Sequence, residues 1–287
     1  MTPFIVGVPR SGTTLLRMML DSHPLIAIPP ETGFLSRLTS LPWLWPGPIG
    51  RKRLHAIVTG TEAWPDFHLE ADALAQALDG VSPFTLADGI RAFYRLYAAR
   101  FDKPLWGDKT PIYGRHAAAI ARLLPEARFI HIIRDGRDVA LSLAPMWFAP
   151  SAQTDVLASY WMREIRATRQ QASRLRHYLE VRYEDLIGDP QRELEIICRF
   201  LDVEFDTAML RSHERAGTRL DEHEARPDSA RPLTKVERRG QQWRTEQRPD
   251  PSRIGRWRHE MDATNLRAFE SIAGDFLREL GYTPATR

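Results

Sequence analysis

The chain has 287 residues, 43% hydrophobic and 27% charged, which excludes wholesale disorder and fits a single domain over 1–287. Its 40 Lys and Arg against 37 Asp and Glu leave a formal charge of +3, too weak a field for generic nucleic-acid binding. One cysteine excludes a disulfide framework or a multi-cysteine metal site, and no apolar run nears the roughly 20 residues of a membrane span.

Residues 3–8 (Pro-Phe-Ile-Val-Gly-Val) read as a buried strand. No basic stretch leads into an apolar one there, so the expected localisation is cytoplasmic. A helix opens at Thr13 or Thr14 with Leu16, Met19 and Leu20 at helical spacing and ends over Asp21–Pro24. A second apolar stub, Leu25–Ile28, leads through Pro29-Pro30 to Glu31. Residues 36–104 read as an acceptor-side insertion on the scaffold. There Trp43, Trp45 and Trp64 lie among Pro42, Pro46, Pro48 and Pro65, with helical patterns near 70–79 and 84–100. Leu105–Lys109 ends a strand, a helix follows near 114–124, and Arg128–Ile133 is the clearest strand of the chain. Asp135 or Asp138 caps the helix after it. From 155 to 179, apolar residues step by three or four and predict one long amphipathic helix. Glu180–Tyr183 reads as a strand, and Asp189-Pro190 starts a helix that carries Cys198 as a core residue. Residues 214–252 are polar and read as a lid or a flexible loop, including Pro227; the arginines between 211 and 248 alternate with acids and read as solvated. A last helix, about 263–280, buries Leu266, Phe269, Ile272, Phe276 and Leu280, with Gly281 at its C′ position. Strands alternating with helices predict an α/β fold, a parallel sheet with helices on both faces, whose ligands bind beyond the carboxyl ends of the strands.

Gly7-Val8-Pro9-Arg10-Ser11-Gly12-Thr13-Thr14 joins the first strand to the first helix with the glycine spacing of a phosphate loop. Amides at a helix start make an anion site, and Ser11, Thr13 and Thr14 add hydroxyls. Thr13 stands where a nucleoside-triphosphatase has lysine, and the cation comes earlier, as Arg10. Arginine carries most of this chain's positive charge, because only Lys52, Lys103, Lys109 and Lys235 are lysines. It is also the side chain that forks onto a phosphate. The strand 128–133 runs into Arg134, not into the aspartate that holds Mg²⁺, so a metal-assisted triphosphate site is poorly matched. Arg134 and Ser142 form either a guanidinium-and-hydroxyl clamp for a second phosphate or, respectively, an ion pair to Asp138 and a plain helical hydroxyl. Together the two motifs describe a ligand with two separated anionic ends and no metal.

That pair resembles the 5′-phosphosulfate loop and 3′-phosphate site of sulfotransferases that use 3′-phosphoadenosine 5′-phosphosulfate (PAPS). Val8-Pro9-Arg10-Ser11-Gly12-Thr13-Thr14-Leu15, followed by Asp21-Ser22-His23-Pro24, is most similar to tyrosylprotein sulfotransferases and their bacterial relatives. Val181-Arg182-Tyr183-Glu184-Asp185-Leu186 resembles the family stretch whose tyrosine lies by the adenine. Ile254-Gly255-Arg256-Trp257 resembles the segment that closes over the nucleotide. The likeness covers about 1–35, 105–145, 180–203 and 252–281. It departs at Gly255, where the family has a serine that Ser252 is placed to replace, and at Met146, where a helical arginine is expected.

The resemblance implies a P-loop-like three-layer sandwich. It also implies sulfuryl transfer from PAPS to a hydroxyl or amine, releasing adenosine 3′,5′-bisphosphate. Arg10, Ser11, Gly12, Thr13, Thr14, Arg134, Ser142, Tyr183 and Arg256 then hold the nucleotide. Glu31 serves as base, and Lys109 and Arg10 balance charge on the departing phosphate. Read without the resemblance, Glu31 is a carboxylate near a helix start and Lys109 a solvent lysine paired with Asp108. A histidine base in the insertion, His55 or His68, stays open. The tryptophan-rich insertion is expected to wall the pocket of a small-molecule, glycan, lipid or peptide acceptor. A P-loop kinase or nucleoside-triphosphatase, or a non-catalytic nucleotide-binding module, are the alternatives.

Overall fold

The structure, a computed structural model, describes residues 1–39, 47–226 and 231–285. Pro42, Trp43, Trp45, Pro46 and Pro227 lie outside them. Strand β1 (Thr2–Gly7) feeds helix α1 (Thr13–Asp21), and β2 (Ile26–Ala27) leads to α2 (Phe34–Leu38), α3 (Gly47–Thr59), α4 (Ala71–Asp79) and α5 (Leu86–Ala99). Then come β3 (Leu105–Trp106), β4 (Asp108–Lys109), α6 (Ala117–Leu123), β5 (Ala127–Ile133), α7 (Gly136–Leu143) and α8 (Thr154–Ala172). The rest is β6 (Tyr178–Arg182), α9 (Tyr183–Gly188), α10 (Pro190–Leu201), α11 (His213–Leu220), α12 (Lys235–Gly240), α13 (Trp257–Glu260) and α14 (Ala263–Glu279).

The main sheet has the order β4-β1-β5-β6, and every pairing is parallel. A shorter parallel pair, β2 with β3, adjoins it, because the chain passes from β3 to β4 through Gly107 and changes partner there. A Cβ at Gly107 would sit 2.7 Å from Pro3 Cγ and 2.9 Å from the Pro3 carbonyl, so this crossing needs glycine. Alternation along β5 sends Ile130 and Ile132 to the side of α1, α9 and α10, and Phe129 and Ile133 to the opposite side. Helices α7, α8 and α14 pack together there around Trp161, Phe269 and Phe276. The result is the expected α/β sandwich, a parallel sheet with helices on both faces. The carboxyl ends of β1, β4 and β5 share one edge.

Several boundaries differ from the sequence expectation. Helix α8 stops at Ala172: Leu179, which continues the helical step, lies in β6 beside Ile130, and Leu175 packs under the insertion. The region 114–124 begins with a 3₁₀ turn, Pro111–His116, before α6. Ile272 is 45% exposed, because the buried stripe of α14 runs through Phe269, Ala273, Phe276 and Leu277. Within 214–252 the described residues form most of α11, all of α12 and a short 3₁₀ turn, Trp243–Glu246, with Arg219 and Leu220 buried.

Candidate active site

The loop after β1 turns through Arg10 at φ 73° and Gly12 at φ 104°, which leaves Gly12 as the residue before α1. A Cβ on Gly12 would stand 2.5 Å from the Tyr183 ring, so the loop needs glycine for its conformation and for this approach. The Ser11 hydroxyl donates to the Val8 carbonyl at 2.6 Å and closes the turn from inside. Arg10 reaches across the crevice: its Nε donates to Ser142 Oγ at 3.2 Å and its Nη1 to the Gln241 carbonyl at 3.1 Å. Burial, reinforced by the guanidinium groups of Arg244, Arg134 and Arg253, holds the Arg10 pKa below the ordinary arginine value.

Arg134 leaves the end of β5 beside the same loop. It donates to the carbonyls of Arg10 (3.3 Å) and Arg253 (2.8 Å), and its guanidinium lies 4.2 Å from the centre of the Tyr183 ring. The ion pair to Asp138 is present at 3.6 Å, yet the buried Nε of Arg134 has no partner among the described residues. Asp138 does more than pair with arginine. Its two oxygens accept the amides of Gly255 (2.8 Å) and Trp257 (3.0 Å), which docks the closing segment on α7.

Glu31 and Lys109 meet on the other side of the loop. Lys109 Nζ donates to Glu31 Oε1 at 2.5 Å and to Thr14 Oγ1 at 3.3 Å. The lysine is 2% exposed, so it is neither a solvent lysine nor the partner of Asp108, whose side chain turns inward. Burial pushes the Lys109 pKa down, and the Glu31 carboxylate works against that shift. Glu31 itself is half-exposed, and its Oε1 is engaged by this lysine.

Two cavities flank the loop. The first, about 290 Å³, is floored by Gly12, Thr13 and Thr14 and receives Arg10, Arg134, Ser142 and Tyr183. Its lining holds five arginines (10, 134, 244, 248 and 253) against one carboxylate, Asp250. The second, about 270 Å³, contains Glu31 with Ile112, Trp147, Phe148, His223 and Arg238. Arg10, Thr13, Thr14, Gln241 and Gln242 border both.

The sequence therefore anticipated the residues on the sheet edge and missed those that fold back over it. Arg244 and Arg248, read as solvated, line the first cavity, and Arg226 and Arg238 line the second while gripping the buried Asp66. Arg256 is not brought to the cavity: it pairs with Glu260, and Arg253 takes the place beside Arg134. Ser252 is exposed and bound to Asp250 at 2.7 Å, and Met146 packs with α7 and α8. The described part of the insertion lines neither cavity: its apolar side chains, Phe67 and Phe93 among them, pack instead into one core with Phe34, with Phe4 of β1 and with Phe129 of β5. His55 bonds the Ala71 carbonyl and His68 the Glu222 carbonyl, so neither faces Glu31. His223 does line that cavity, a position no local motif marks.

A glycine-bearing loop at a helix start, lined with arginine and joined to a buried lysine that grips the half-exposed Glu31, has the architecture of the P-loop-like class without the nucleoside-triphosphatase lysine. Residues 4–207 match the sulfotransferase family, and the chain belongs to it. Protein-tyrosine sulfotransferase 1 of Danio rerio is 28% identical over 222 residues, 75% of this chain and 56% of its own length. The chain thus spans little more than half of that relative. The sulfotransferase domain of the Synechococcus PCC 7002 olefin synthase superposes with a TM-score of 0.59 at 27% identity, covering 95% of this chain and 94% of that one. A mouse sulfotransferase, SULT7A1, solved with PAP, shares the fold at a TM-score of 0.50 and 14% identity, with 98% and 86% covered.

Proposed function

We propose that this chain moves a sulfuryl group from PAPS to a hydroxyl or amine of an acceptor, without a metal ion, and releases adenosine 3′,5′-bisphosphate. The observation that carries this reading is the pair of adjoining cavities, one dominated by arginine and one lined by Glu31, which the buried Lys109 engages from behind, that share Arg10, Thr13 and Thr14. The residues present suit such a nucleotide. The unpartnered Nε of Arg134 and the excess of guanidinium over carboxylate call for an anion.

When bound, the nucleotide supplies the activated sulfuryl group. The chain's own part begins with the amides at the start of α1 and the hydroxyls of Thr13 and Thr14, which hold the 5′ end. Arg134 and Ser142 hold the 3′-phosphate, and the Tyr183 ring lies against the base. Glu31 takes the proton of the acceptor. Lys109 and Arg10 balance the charge that grows on the departing phosphate, electrostatic help of a kind whose loss costs roughly 3 kcal/mol per donor. Peptide tyrosine is an acceptor to test first, given the protein-tyrosine sulfotransferases among the relatives.

The test is a labelled-sulfate screen across acceptor classes with EDTA present, beside melting curves with adenosine 3′,5′-bisphosphate and with ATP. The expected outcome is turnover without metal, and a rise in melting temperature with the bisphosphate that ATP does not match. Glu31→Gln should lower turnover by roughly 10²–10⁴-fold while keeping that rise. Equal stabilisation by ATP with strict Mg²⁺ dependence would return the kinase reading. PAPS that stabilises but is never consumed would leave a binding module.

A further inference from the structure

Behind the Glu31–Lys109 pair lies a second, wholly buried contact between the same two stretches of chain. Residues 31–32 run beside residues 108–109, so two rungs join them. One rung, Glu31 with Lys109, belongs to the site. The other, Thr32 with Asp108, faces the interior, where the Thr32 hydroxyl donates to Asp108 Oδ2 at 2.8 Å. Two tyrosines complete it. Tyr94 donates to the same carboxylate oxygen at 2.8 Å, and Tyr113 OH stands 2.8 Å from Thr32 Oγ1.

The hydrogens can be assigned along the whole chain. The Leu35 amide donates to Tyr113 OH at 2.9 Å, which sends the tyrosine's own hydrogen to Thr32, and Thr32 sends its hydrogen to Asp108. The Thr32 amide is fixed separately by Thr110 Oγ1 at 3.1 Å. Thr32, Tyr94 and Tyr113 are fully buried, as is Asp108, and none lines either cavity. None of them can touch a ligand.

A buried carboxylate whose neighbouring lysine turns to another partner is costly, and apolar side chains of similar volume would serve stability as well. We propose that Thr32, Asp108, Tyr94 and Tyr113 are positioning residues that set Glu31 against Lys109. This rests on the reading of that pair as the reaction centre. The network also gives the insertion a part in the chemistry. Tyr94 comes from α5 and is held by stacking on Trp106, with ring centres 4.3 Å apart and planes 6° from parallel. The insertion thus acts on the site from behind it.

Thr32→Val removes the relay hydroxyl at nearly constant volume, and Thr32→Ser keeps it. With only four lysines in the chain, the ammonium signal of Lys109 can be followed by ¹⁵N-lysine NMR without any substrate. The expected result is a protected Lys109 ammonium in the native protein, its loss to exchange in Thr32→Val and its return in Thr32→Ser. In PAPS turnover with 4-nitrophenol as probe acceptor, Thr32→Val should lower kcat about 10-fold or more with KM for PAPS within twofold. A misplacement of 1 Å is on the scale of 10² in rate. Thr32→Ser should restore kcat.

A Lys109 signal unchanged in Thr32→Val, or lost equally in Thr32→Ser, would overturn the proposal. Should Thr32→Val fail to fold, Tyr94→Phe, which keeps the ring stack, carries the same expectation. If the native protein turns over no acceptor, the functional reading falls while the NMR comparison still decides this one.

Discussion

Arg134 enters the first cavity with its charge already divided among Asp138, two backbone carbonyls and the face of Tyr183. Its geometry rather than its charge is what a phosphate would use, because a planar fork meets two oxygens at once. Arg134→Lys keeps the charge and loses the fork. It should weaken adenosine 3′,5′-bisphosphate by about 10- to 100-fold, the scale of one or two charge-assisted hydrogen bonds, in a calorimetric titration. Affinity within twofold of the native protein would deny Arg134 a phosphate. At this scale the sequence was informative wherever a side chain sits next to a strand end: Arg10, Thr13, Thr14, Arg134 and Ser142 converge as their spacing requires. It was silent on Arg253 and His223. Their places are set by how the polar segment folds back, and no period or local motif records that.

Helix α7 carries Ser142 of the first cavity and, one turn earlier, the latch of the closing segment, since Asp138 binds the Gly255 and Trp257 amides with one oxygen each. Asp138→Asn retains a single acceptor oxygen, so one of those buried amides loses its partner at a cost of roughly 1–3 kcal/mol. Tryptic cleavage after Arg253, Arg256 and Arg258 should accelerate, and adenosine 3′,5′-bisphosphate should slow it less than in the native protein. Unchanged cleavage would mean that the segment is held elsewhere. Elements were legible where a cap or a strand run marked them, as at Asp135 before α7 and Asp189 before α10, whose side chains accept the expected amides. Helix α3 carried no such mark. The end of α8 was misplaced because Leu175 and Leu179 keep the helical step after the chain has left the helix. Only pairing with β5 fixes that boundary.

Among the described residues, the buried His131, His223 and Asp108 give stability a pH dependence of known sign between pH 6.5 and 4. Burial lowers the pKa of His131 to about 4 and that of His223 to about 3, whereas each takes its ordinary value near 6.5 once unfolded. As pH falls from 6.5 to 4, the unfolded chain therefore binds protons that the folded chain refuses, and stability is lost. Asp108 acts in the opposite sense. Its pKa, raised by burial to about 6 from 3.8, lets the folded chain take a proton first, which recovers stability between pH 6 and 4. Two groups oppose one, so the net change is a loss. Carboxylates held low by arginine, such as Asp66 beside Arg238, add their own loss only at lower pH. His131 has the simplest surroundings: it is fully buried beside Tyr178, with ring nitrogen and hydroxyl 2.6 Å apart, and lies outside both cavities. Its shift corresponds to a loss on the order of 3 kcal/mol by pH 4. Urea unfolding at pH 7, 5.5 and 4.5 should give a falling free energy, and His131→Leu should flatten that fall even though it starts from a less stable protein at pH 7. A variant with the native slope would place the acid sensitivity in His223 or the carboxylates instead.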